Sequence, residues 1–354
     1  MIVDDSIVAR AVLTRTLEGQ ADFEVVAQAG SGAAALALLD AHSVDIILLD
    51  LQMPGRSGLD VLPDLIAHSG ARVLVVSSSA GAGARATLSA LQLGAADTLL
   101  KPDAGGMSAG FSAALVDRLR RIAACEPVVA SPPRPEPAPP ARRASPVQSD
   151  ACSIECLAIG ASTGGVHALA AFFGAYPRAL STPILVTQHL PAPFMPYYAM
   201  QLQEMSGRAT HVATEGKPML PDTILLAPGD SHLGVARDRT GGIYVHLERR
   251  QVASGCLPSV DPMLASVGRV FGSAAVGIML SGMGRDGLSG AEELVAAGGE
   301  MLAQDAASSV VWGMPGAVAN RGIAAAVLPP RLLARRVADR IGAAQLRKGG
   351  AAWK

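Results

Sequence analysis

Residues 157–165 have the sequence Leu-Ala-Ile-Gly-Ala-Ser-Thr-Gly-Gly, which predicts a strand, a tight turn and the start of a helix. The apolar residues before Gly160 are typical of a buried parallel strand, and residues 166–173 have the apolar spacing of an amphipathic helix. Ser162 falls in the turn between them, at the carboxyl edge of the sheet and beside a helix N-terminus, where developing negative charge is favoured. Glycine permits so sharp a turn.

Two interpretations of this turn are open from the local sequence. Residues 160–164 match the pattern G-x-S-x-G, in which the serine is the nucleophile of α/β-hydrolases. In the alternative, Ser162 or Thr163 only caps the following helix through its hydroxyl group. A catalytic serine needs a base and a carboxylate from elsewhere in the chain, so the remaining sequence decides between the two.

Length and composition limit the classes of protein that this chain can belong to. With 354 residues it is long enough for roughly two domains. A net charge of -1 disfavours general nucleic-acid binding and membrane-surface binding. No apolar run approaches the ~18 residues of a membrane span, and no secretory signal is visible. The 4 cysteines form no CxxC pair. We therefore expect a cytoplasmic protein with reduced thiols, no membrane insertion and no nucleic-acid partner.

The first third of the chain alternates short strands with helices, which predicts a parallel sheet covered by helices on both faces. The expected strands after the first one are residues 23–27, 44–49, 72–76 and 98–100, and the expected helices are residues 7–17, 33–39, 59–66 and 84–91.

Polar side chains follow several of these strands. Asp4 and Asp5 come after the first strand and Asp50 ends the third, so the three carboxylates meet at the carboxyl edge of the sheet. Such a group of hard oxygen ligands suits Mg²⁺. Ser77 follows the fourth strand and Lys101 the last, which adds a hydroxyl donor and a cation that can pair with phosphate.

This part of the chain resembles the receiver domain of bacterial response regulators. The resemblance is carried by Val-Asp-Asp-Ser at 3–6, Leu-Asp-Leu-Gln-Met-Pro at 49–54 and Leu-Lys-Pro at 100–102. It implies phosphorylation of Asp50 by a histidine kinase, Mg²⁺ held by Asp4, Asp5 and Asp50, and sensing of the phosphoryl group by Ser77 and Lys101. The Lys101–Pro102 bond is a candidate cis peptide.

Two features depart from the receiver pattern. Only Met1, Ile2 and Val3 precede the acidic pair, which is short beside the usual ~5–6 residues of a strand. This leaves two interpretations: the first strand is truncated because the true start lies upstream, or the central strand itself is clipped. Thr98 stands three residues before the lysine, where receivers often have an aromatic residue, so aromatic gating is not expected.

Residues 123–152 are rich in proline, alanine, arginine and serine, and regular strand or helix spacing stops there. Proline cannot donate backbone hydrogen bonds, so we expect a semi-rigid linker with polyproline II character. A PxxP ligand for a partner protein is the alternative to a plain spacer.

The base for Ser162 is best sought at carboxyl strand ends, where the serine itself lies. His189 follows the predicted strand 183–188 and is the histidine in this half with that placement. His167 falls inside a helix, and His232 in a predicted turn is the second choice. The remaining candidates, His211 and His246, lie in strand-like runs and are expected to be structural. No H-E-x-x-H spacing occurs, which disfavours a zinc hydrolase.

Asp286 is the candidate for the carboxylate. It lies in the glycine-rich turn Gly-Met-Gly-Arg-Asp-Gly at 282–287 after another predicted strand, although by itself it could be a helix cap. The resulting chain order of serine, histidine and aspartate differs from the α/β-hydrolase order, so the literal G-x-S-x-G match is set aside. The glycines also fail to form the dinucleotide-binding pattern G-x-G-x-x-G.

With these motifs the chain resembles the chemotaxis protein-glutamate methylesterases, the CheB family. Besides the serine and aspartate turns, the resemblance is carried by the segments 188–191, 226–229, 258–261, 303–305, 308–310 and 313–315. One departure is Gly316, where family members often carry a basic residue. The resemblance covers nearly the whole chain, receiver included.

The resemblance implies hydrolysis of glutamate γ-methyl esters on methyl-accepting chemoreceptors, with release of methanol, and deamidation of receptor glutamines. Ser162 is then the nucleophile, His189 the base and Asp286 the residue that orients it, without metal or cofactor in the esterase reaction. The backbone N–H groups of Thr163 and Met283 are the candidates for an oxyanion hole.

The expected fold is α/β, with two doubly wound parallel-sheet domains: a flavodoxin-like receiver at 1–122 and a Rossmann-like methylesterase domain at 153–345. The Pro-rich linker 123–152 joins them, and residues 346–354 form a tail. Competing interpretations are a broad-specificity hydrolase and a non-catalytic, phosphorylation-dependent binding protein. A DNA-binding response regulator is disfavoured because the second part has no basic recognition helix.

Overall fold

The computed structural model describes residues 1–77, 81–101, 109–123 and 153–351. Within them the chain forms two parallel sheets, one in the first third and one in the remainder, together with a separate β-hairpin. The predicted α/β class with two doubly wound domains is confirmed. The linker predicted at 123–152 lies outside the described residues except for residue 123.

The first sheet has five parallel strands in the order β2-β1-β3-β4-β5, the order of flavodoxin-like folds. Alternate residues of the strands enter different layers of the core, because successive side chains of a strand point to opposite faces. Val73 and Val75 lie in one hydrophobic cluster, and Leu74 and Val76 in another. The elements are β1 Ile2–Val3, α1 Ile7–Glu18, β2 Gln28–Ala29, α2 Gly32–Leu39, β3 Ile46–Leu49, α3 Gly58–Ser69, β4 Arg72–Ser77, α4 Gly81–Gln92, β5 Asp97–Leu100 and α5 Ala109–Ala123.

The second strand differs from its predicted position at residues 23–27. The structure places it at Gln28–Ala29, paired with the two residues of β1. Because β1 offers only Ile2 and Val3, no more than two residues of its neighbour enter the ladder. Phe23 and Val25 instead pack against the hydrophobic core outside any strand. The apolar residues within 23–27 are therefore explained by burial against the core and not by pairing in a strand.

The second sheet has seven parallel strands in the order β14-β13-β12-β6-β7-β9-β8. The elements are β6 Cys156–Ala161, α6 Gly165–Phe173, β7 Ile184–Gln188, α7 Met195–Ser206, β8 Ala209–Val212, β9 Thr223–Leu226, β10 His232–Arg237, β11 Ile243–Glu248, α8 Val260–Phe271, β12 Ala275–Met279, α9 Leu288–Ala296, β13 Glu300–Gln304, α10 Met314–Asn320, β14 Ala324–Leu328 and α11 Pro330–Ala351. Short 3₁₀ turns precede α7 and β12.

The order of this sheet determines where the functional residues meet. From β6 the chain first builds β7, β9 and β8 on one side, and later returns to build β12, β13 and β14 on the other. The point of reversal lies between β6 and β12, and in open α/β sheets ligands bind beyond the carboxyl ends of strands at such a point. The loops that follow β6, β7 and β12 carry Ser162, His189 and Asp286, respectively.

Three details of the second part differ from expectation. After the linker, the apolar runs of the sequence predict strands at residues 184–187, 223–226, 243–247, 276–280 and 324–328. Residues 243–247 belong instead to the antiparallel hairpin of β10 and β11, apart from the parallel sheet. The strand β13 is not among those predicted from the sequence. α11 runs from Pro330 to Ala351 and so continues past residue 345, the predicted end of the catalytic domain, into the predicted tail at 346–354. Within the described residues, no helix is both long enough and apolar enough to cross a lipid bilayer.

Candidate active site

The turn that follows β6 holds Ser162 in place through its backbone. The Ser162 N–H donates to the carbonyl of Ser281 at 3.0 Å, which ties this turn to the loop after β12. The N-cap of α6 is Gly164, which has a φ of 74° and makes no side-chain capping hydrogen bond. A Cβ at this position would lie 2.4 Å from Cβ of Val310. The interpretation of Ser162 or Thr163 as a helix cap is therefore wrong, and the turn requires glycine at 164.

Residues at the end of β7 also hold the Ser162 turn in place through hydrogen bonds. The side-chain amide of Gln188 donates to the carbonyl of Ser162 at 2.8 Å, and the His189 N–H donates to the carbonyl of Ala161 at 3.1 Å. His189 consequently begins the loop after β7 directly beside the serine turn. Its position follows from the pairing of β6 with β7, in which Ala161 stands opposite Gln188.

Asp286 lies within hydrogen-bond distance of His189. The Nε2 atom of the imidazole is 2.9 Å from Oδ2 of the aspartate. The carboxylate accepts three further hydrogen bonds, from the Ser254 hydroxyl at 2.6 Å, the Ser259 hydroxyl at 2.5 Å and the Val260 N–H at 2.7 Å. Gly287, and not Asp286, is the N-cap of α9. The capping alternative for Asp286 is therefore wrong, because its side chain is directed to His189 and α8.

The surroundings of Asp286 keep it ionised although the residue is only 3% exposed. Burial alone would raise the pKa of this carboxyl group. The hydrogen bond and charge of His189, followed by the hydroxyl groups of Ser254 and Ser259, outweigh burial and lower the pKa to about 2. An ionised carboxylate can fix the tautomer of the imidazole and stabilise the imidazolium that forms when it accepts a proton.

Ser162 and His189 line one cleft of about 520 Å³ at the carboxyl edge of the sheet. In the part of the chain that the structure describes, no hydrogen bond joins the Ser162 hydroxyl to the imidazole. Proton transfer between them therefore requires a rotation of one of the two side chains, as is common in enzymes without bound substrate. The structure thus joins His189 to Asp286 directly, and brings Ser162 to the same cleft.

The two predicted oxyanion-hole residues also line this cleft. Among the described residues, the backbone N–H groups of Thr163 and Met283 donate no hydrogen bond within the protein. The N–H groups of Ser162, Gly164 and Gly165 each donate to a protein carbonyl. An oxyanion hole requires two such free N–H donors beside the serine. Their assignment stays a prediction.

Two of the other candidate histidines, His232 and His167, hydrogen-bond to backbone groups away from Ser162. His232, the second choice for the base, is only 1% exposed and begins β10 instead of lying in a turn. Its Nε2 faces the carbonyl of Arg250 at 2.8 Å, and its Nδ1 accepts from the Ser259 N–H at 2.9 Å. Both ring nitrogens are therefore occupied by backbone groups. His167 contacts the carbonyl of Gln92 at 2.8 Å.

The first domain forms one wall of the cleft. The Gly164 N–H donates to the carbonyl of Ala96 at 3.0 Å, immediately before β5. The Thr163 hydroxyl lies 3.5 Å from the carboxylate of Asp97, which also forms an ion pair with Arg118 of α5 at 2.7 Å. Arg118 and Asp97 line the cleft together with Ser162. The receiver-like domain is therefore docked against the serine turn.

The acidic residues of the first domain meet at the carboxyl edge of their own sheet. One carboxylate oxygen from each of Asp4, Asp5 and Asp50 lies within 4.8 Å of the others. Lys101 forms ion pairs with Asp4 at 2.9 Å and with Asp50 at 2.6 Å. Burial raises the pKa of Asp50 and outweighs the lowering by Lys101. Three carboxylates with hard oxygen donors at this spacing fit a Mg²⁺ ion.

Ser77 and Lys101 end adjacent strands at this edge. The Lys101 N–H donates to the Ser77 carbonyl at 2.8 Å, and the Thr87 hydroxyl donates to the buried Ser77 hydroxyl at 2.8 Å. Both predicted phosphoryl-sensing residues therefore lie beside the acidic group. The candidate cis bond before Pro102 lies outside the described residues, and among the described residues Leu257–Pro258 is a cis peptide bond.

Sequence reasoning missed the loop that holds Asp286. The sequence singles out Ser259 only as part of the segment 258–261, and it assigns no role to Ser254 or Cys256. Because Ser254 and Asp286 are 32 residues apart, no local spacing connects them. The one available signal is that Ser259 stands immediately before a helix, where its hydroxyl accepts from the Asp261 N–H at 3.2 Å.

Comparison with known proteins gives matches for both parts of the chain. Residues 157–337 match the model of the CheB methylesterase family, and residues 1–107 match that of the response regulator receiver domain. The protein-glutamate methylesterase/protein-glutamine glutaminase 2 of Caulobacter vibrioides is 41% identical, over 96% of this chain and 98% of the relative. The corresponding protein of Azospirillum brasilense is 39% identical, over 93% of this chain and 89% of the relative.

One solved structure is similar to the larger part of the chain. It is the CheB methylesterase catalytic domain of Thermotoga maritima, which is 32% identical with a TM-score of 0.51 and covers 53% of this chain and 98% of that domain.

Proposed function

The chain belongs to the CheB methylesterase family, and on that premise we propose that it hydrolyses the γ-methyl esters of glutamate residues in methyl-accepting chemoreceptors. The hydrogen bond of 2.9 Å between His189 and Asp286, in the cleft that Ser162 lines, is the observation that carries this proposal. It pairs a base with an ionised carboxylate beside a serine at the carboxyl edge of a parallel sheet.

The reaction that we propose has two acyl-transfer steps. Ser162 attacks the ester carbonyl while His189 accepts its proton and then returns it to the leaving methanol. The backbone N–H groups of Thr163 and Met283 hold the negative oxygen of the tetrahedral intermediate. Water, activated by His189, then cleaves the acyl-enzyme and releases the glutamate carboxylate. These steps need no metal or cofactor.

Deamidation of receptor glutamines uses the same groups. The side-chain amide of glutamine replaces the ester, and ammonia takes the place of methanol as the leaving group. Because both reactions pass through the same acyl-enzyme at glutamyl Cδ, one site performs both. The relatives that share the family carry both activities in their names.

We propose that the receiver controls this activity through phosphorylation of Asp50 by a histidine kinase. Asp4, Asp5 and Asp50 would hold Mg²⁺, which when bound neutralises negative charge on the phosphoryl group being transferred. Lys101 and Ser77 lie beside Asp50 at the ends of β5 and β4 and would contact the phosphoryl oxygens.

We assign residues 1–122 to the receiver and residues 153–345 to the catalytic domain, with 123–152 as linker and 346–354 as tail.

The docked position of the receiver supports control by covering. On the receiver side, the Ala96 carbonyl and the Asp97 carboxylate contact the serine turn through Gly164 and Thr163. Arg118 of the receiver lines the cleft. We propose that this wall hinders the approach of a methylated receptor helix to Ser162. Phosphorylation would shift the equilibrium toward an undocked state.

The proposal is tested by methanol release from membranes that contain methylated receptor, with and without a small-molecule phosphodonor. We expect release that increases with the phosphodonor and disappears in Ser162→Ala, while phosphorylation of Asp50 persists. A broad-specificity hydrolase would cleave small esters and ignore the receptor. A non-catalytic binding protein would bind receptor without releasing methanol. Either result would contradict the proposed function.

A further inference from the structure

A cysteine lies beside the candidate catalytic pair, and the proposed reaction does not use it. Cys256 belongs to the loop between β11 and α8 and lines the same cleft as Ser162. Its sulfur, a ring nitrogen of His189 and a carboxylate oxygen of Asp286 all lie within 4.8 Å of one another. The described hydrogen bonds of the sulfur amount to one long contact of 3.8 Å with the Ser254 carbonyl.

The surroundings of this thiol do not suit it to nucleophilic or redox chemistry. Burial, with the nearby Asp286 carboxylate as the second cause, raises the pKa of Cys256. Reactive cysteines have the opposite property, a lowered pKa that favours the thiolate. The half-buried thiol lies beside an imidazole and a carboxylate, and these three side chains together are common ligands of divalent cations.

One thiolate, one imidazole and one carboxylate form a donor set that selects Zn²⁺ and similar thiophilic divalent cations over Mg²⁺. In a tetrahedral zinc site the ligands lie ~2.0–2.3 Å from the metal, which places them roughly 3.3–3.8 Å from one another. From within 4.8 Å, the Cys256 sulfur therefore needs to approach the other two atoms by at most roughly 1.5 Å, whereas Nε2 and Oδ2, which are 2.9 Å apart, separate slightly. Gly255 has a φ of 68°, and nothing lies within 4 Å of where a Cβ would stand, which leaves room for the Cys256 loop to move.

We propose that Cys256, His189 and Asp286 form a binding site for a thiophilic divalent cation such as Zn²⁺, and that its occupancy reversibly inhibits the hydrolase. The cation takes the place of the proton between His189 Nε2 and Asp286, and that proton moves to Nδ1 of the imidazole, which stays neutral. The Cys256 thiol loses its proton to become the thiolate ligand, so one proton passes to solvent for each ion bound. A water molecule from the cleft fills the fourth position. Inhibition follows because a metal-bound imidazole cannot accept a proton from Ser162.

The hydrogen bonds of Asp286 are compatible with this exchange. Its Oδ2 atom accepts from His189 and from the Val260 N–H, and its Oδ1 atom accepts from Ser254 and Ser259. When the ring proton of His189 moves from Nε2 to Nδ1, the lone pair of Oδ2 that accepted it becomes available to the ion. The ion can then bind without leaving any of the other three donors unpaired.

The binding is tested with Cd²⁺ on the full-length protein, because cadmium–thiolate bonds absorb in the ultraviolet. Cys125 and Cys152 are first replaced by serine, so that the signal does not come from these thiols. We expect an absorbance band in this parent that is lost in Cys256→Ser. Cys156→Ala is the matched control, since Cys156 is fully buried in β6 and its removal should leave the band unchanged.

The inhibition is tested by methanol release at increasing Zn²⁺, with each variant compared with its own metal-free rate. This part rests on the proposed function. We expect Cys256→Ser and Cys256→Ala to raise the half-inhibitory Zn²⁺ concentration roughly tenfold or more, and a chelator to restore activity. The proposal would be overturned if the Cd²⁺ absorbance band, or the inhibition by Zn²⁺, were the same in the parent and in the Cys256 variants. A protein that gives the cysteine-dependent band but releases no methanol without metal would contradict the proposed function and support the metal site.

Discussion

The backbone N–H of Gly164 donates a hydrogen bond to the carbonyl of Ala96 across 3.0 Å, and this bond joins the serine turn of the catalytic domain to the receiver. Each of the two residues lies close in the sequence to a functional residue of its own domain. Gly164 lies two residues after Ser162, and Ala96 immediately precedes β5, whose carboxyl end carries Lys101. The contact therefore lies where a change at the phosphorylation site can reach the catalytic cleft.

Loosening this contact should activate the enzyme. Asp97→Ala removes the carboxylate that meets Thr163 and Arg118. Loss of about 1 kcal/mol of docking energy would increase the undocked population, and with it the basal rate of methanol release, about fivefold. Asp64→Ala, which removes an exposed ion pair with Arg56, is the control. A basal rate that is unchanged or lower in Asp97→Ala would argue against covering, as would the same result after removal of residues 1–125.

Phosphorylation should act through Asp50 alone. Asp50→Asn keeps the size of the side chain but cannot form the acyl phosphate. We expect the variant to retain the basal rate of methanol release and to lose the stimulation by the phosphodonor. Stimulation that persists in Asp50→Asn would show that another group accepts the phosphoryl group.

Replacing Asp286 should remove most of the catalytic rate. In Asp286→Asn the side chain can no longer hold the imidazole in the required tautomer, and in a serine triad such a change costs about 10⁴-fold in kcat. Asp261→Asn is the matched control, because Asp261 accepts from the Gly290 N–H at 2.7 Å and an amide oxygen can still do so. Steady-state measurement of methanol release gives kcat for both variants. A similar loss of kcat in Asp286→Asn and Asp261→Asn would contradict the role assigned to Asp286.

Two glycines should respond oppositely to replacement by alanine. At Gly290 in α9, a Cβ would lie 2.3 Å from the carbonyl oxygen of Asp261 in α8. We expect Gly290→Ala to lower the free energy of unfolding by ~1–3 kcal/mol through overpacking. At Gly342 in α11 nothing lies within 4 Å, so Gly342→Ala should stabilise the helix by ~0.5–1 kcal/mol. Urea denaturation of each variant checks the signs, and destabilisation of equal size would contradict this account.

The sequence predicted those parts of the fold that depend on local patterns. Buried parallel strands such as β6 and β4 are near-continuous apolar runs, and glycine marks the turns after β6 and β12. Because the carboxyl ends of parallel strands meet at one edge, the approximate positions of Ser162, His189 and Asp286 followed from the strands alone. β2 could not be placed in this way, since its bounds depend on how many residues β1 offers for pairing.

The contacts that complete the candidate site depend on the tertiary path of the chain. Ser254 lies on an exposed loop and reaches Asp286 only because the chain folds back between β11 and α8. The Cys256 sulfur is near His189 for the same reason, although 67 positions separate them in the sequence. His232 illustrates the converse, because its surrounding residues resemble a turn while hydrogen bonds with β11 make it part of a strand.

Site-specific labelling by a serine-reactive fluorophosphonate, followed by mass spectrometry of the digested protein, identifies the nucleophile directly. We expect the label on Ser162, faster labelling with the phosphodonor, and slow or absent labelling in His189→Ala and Asp286→Asn. Labelling at another serine, or labelling of Ser162 at an equal rate in His189→Ala, would contradict the claim that these three residues act together.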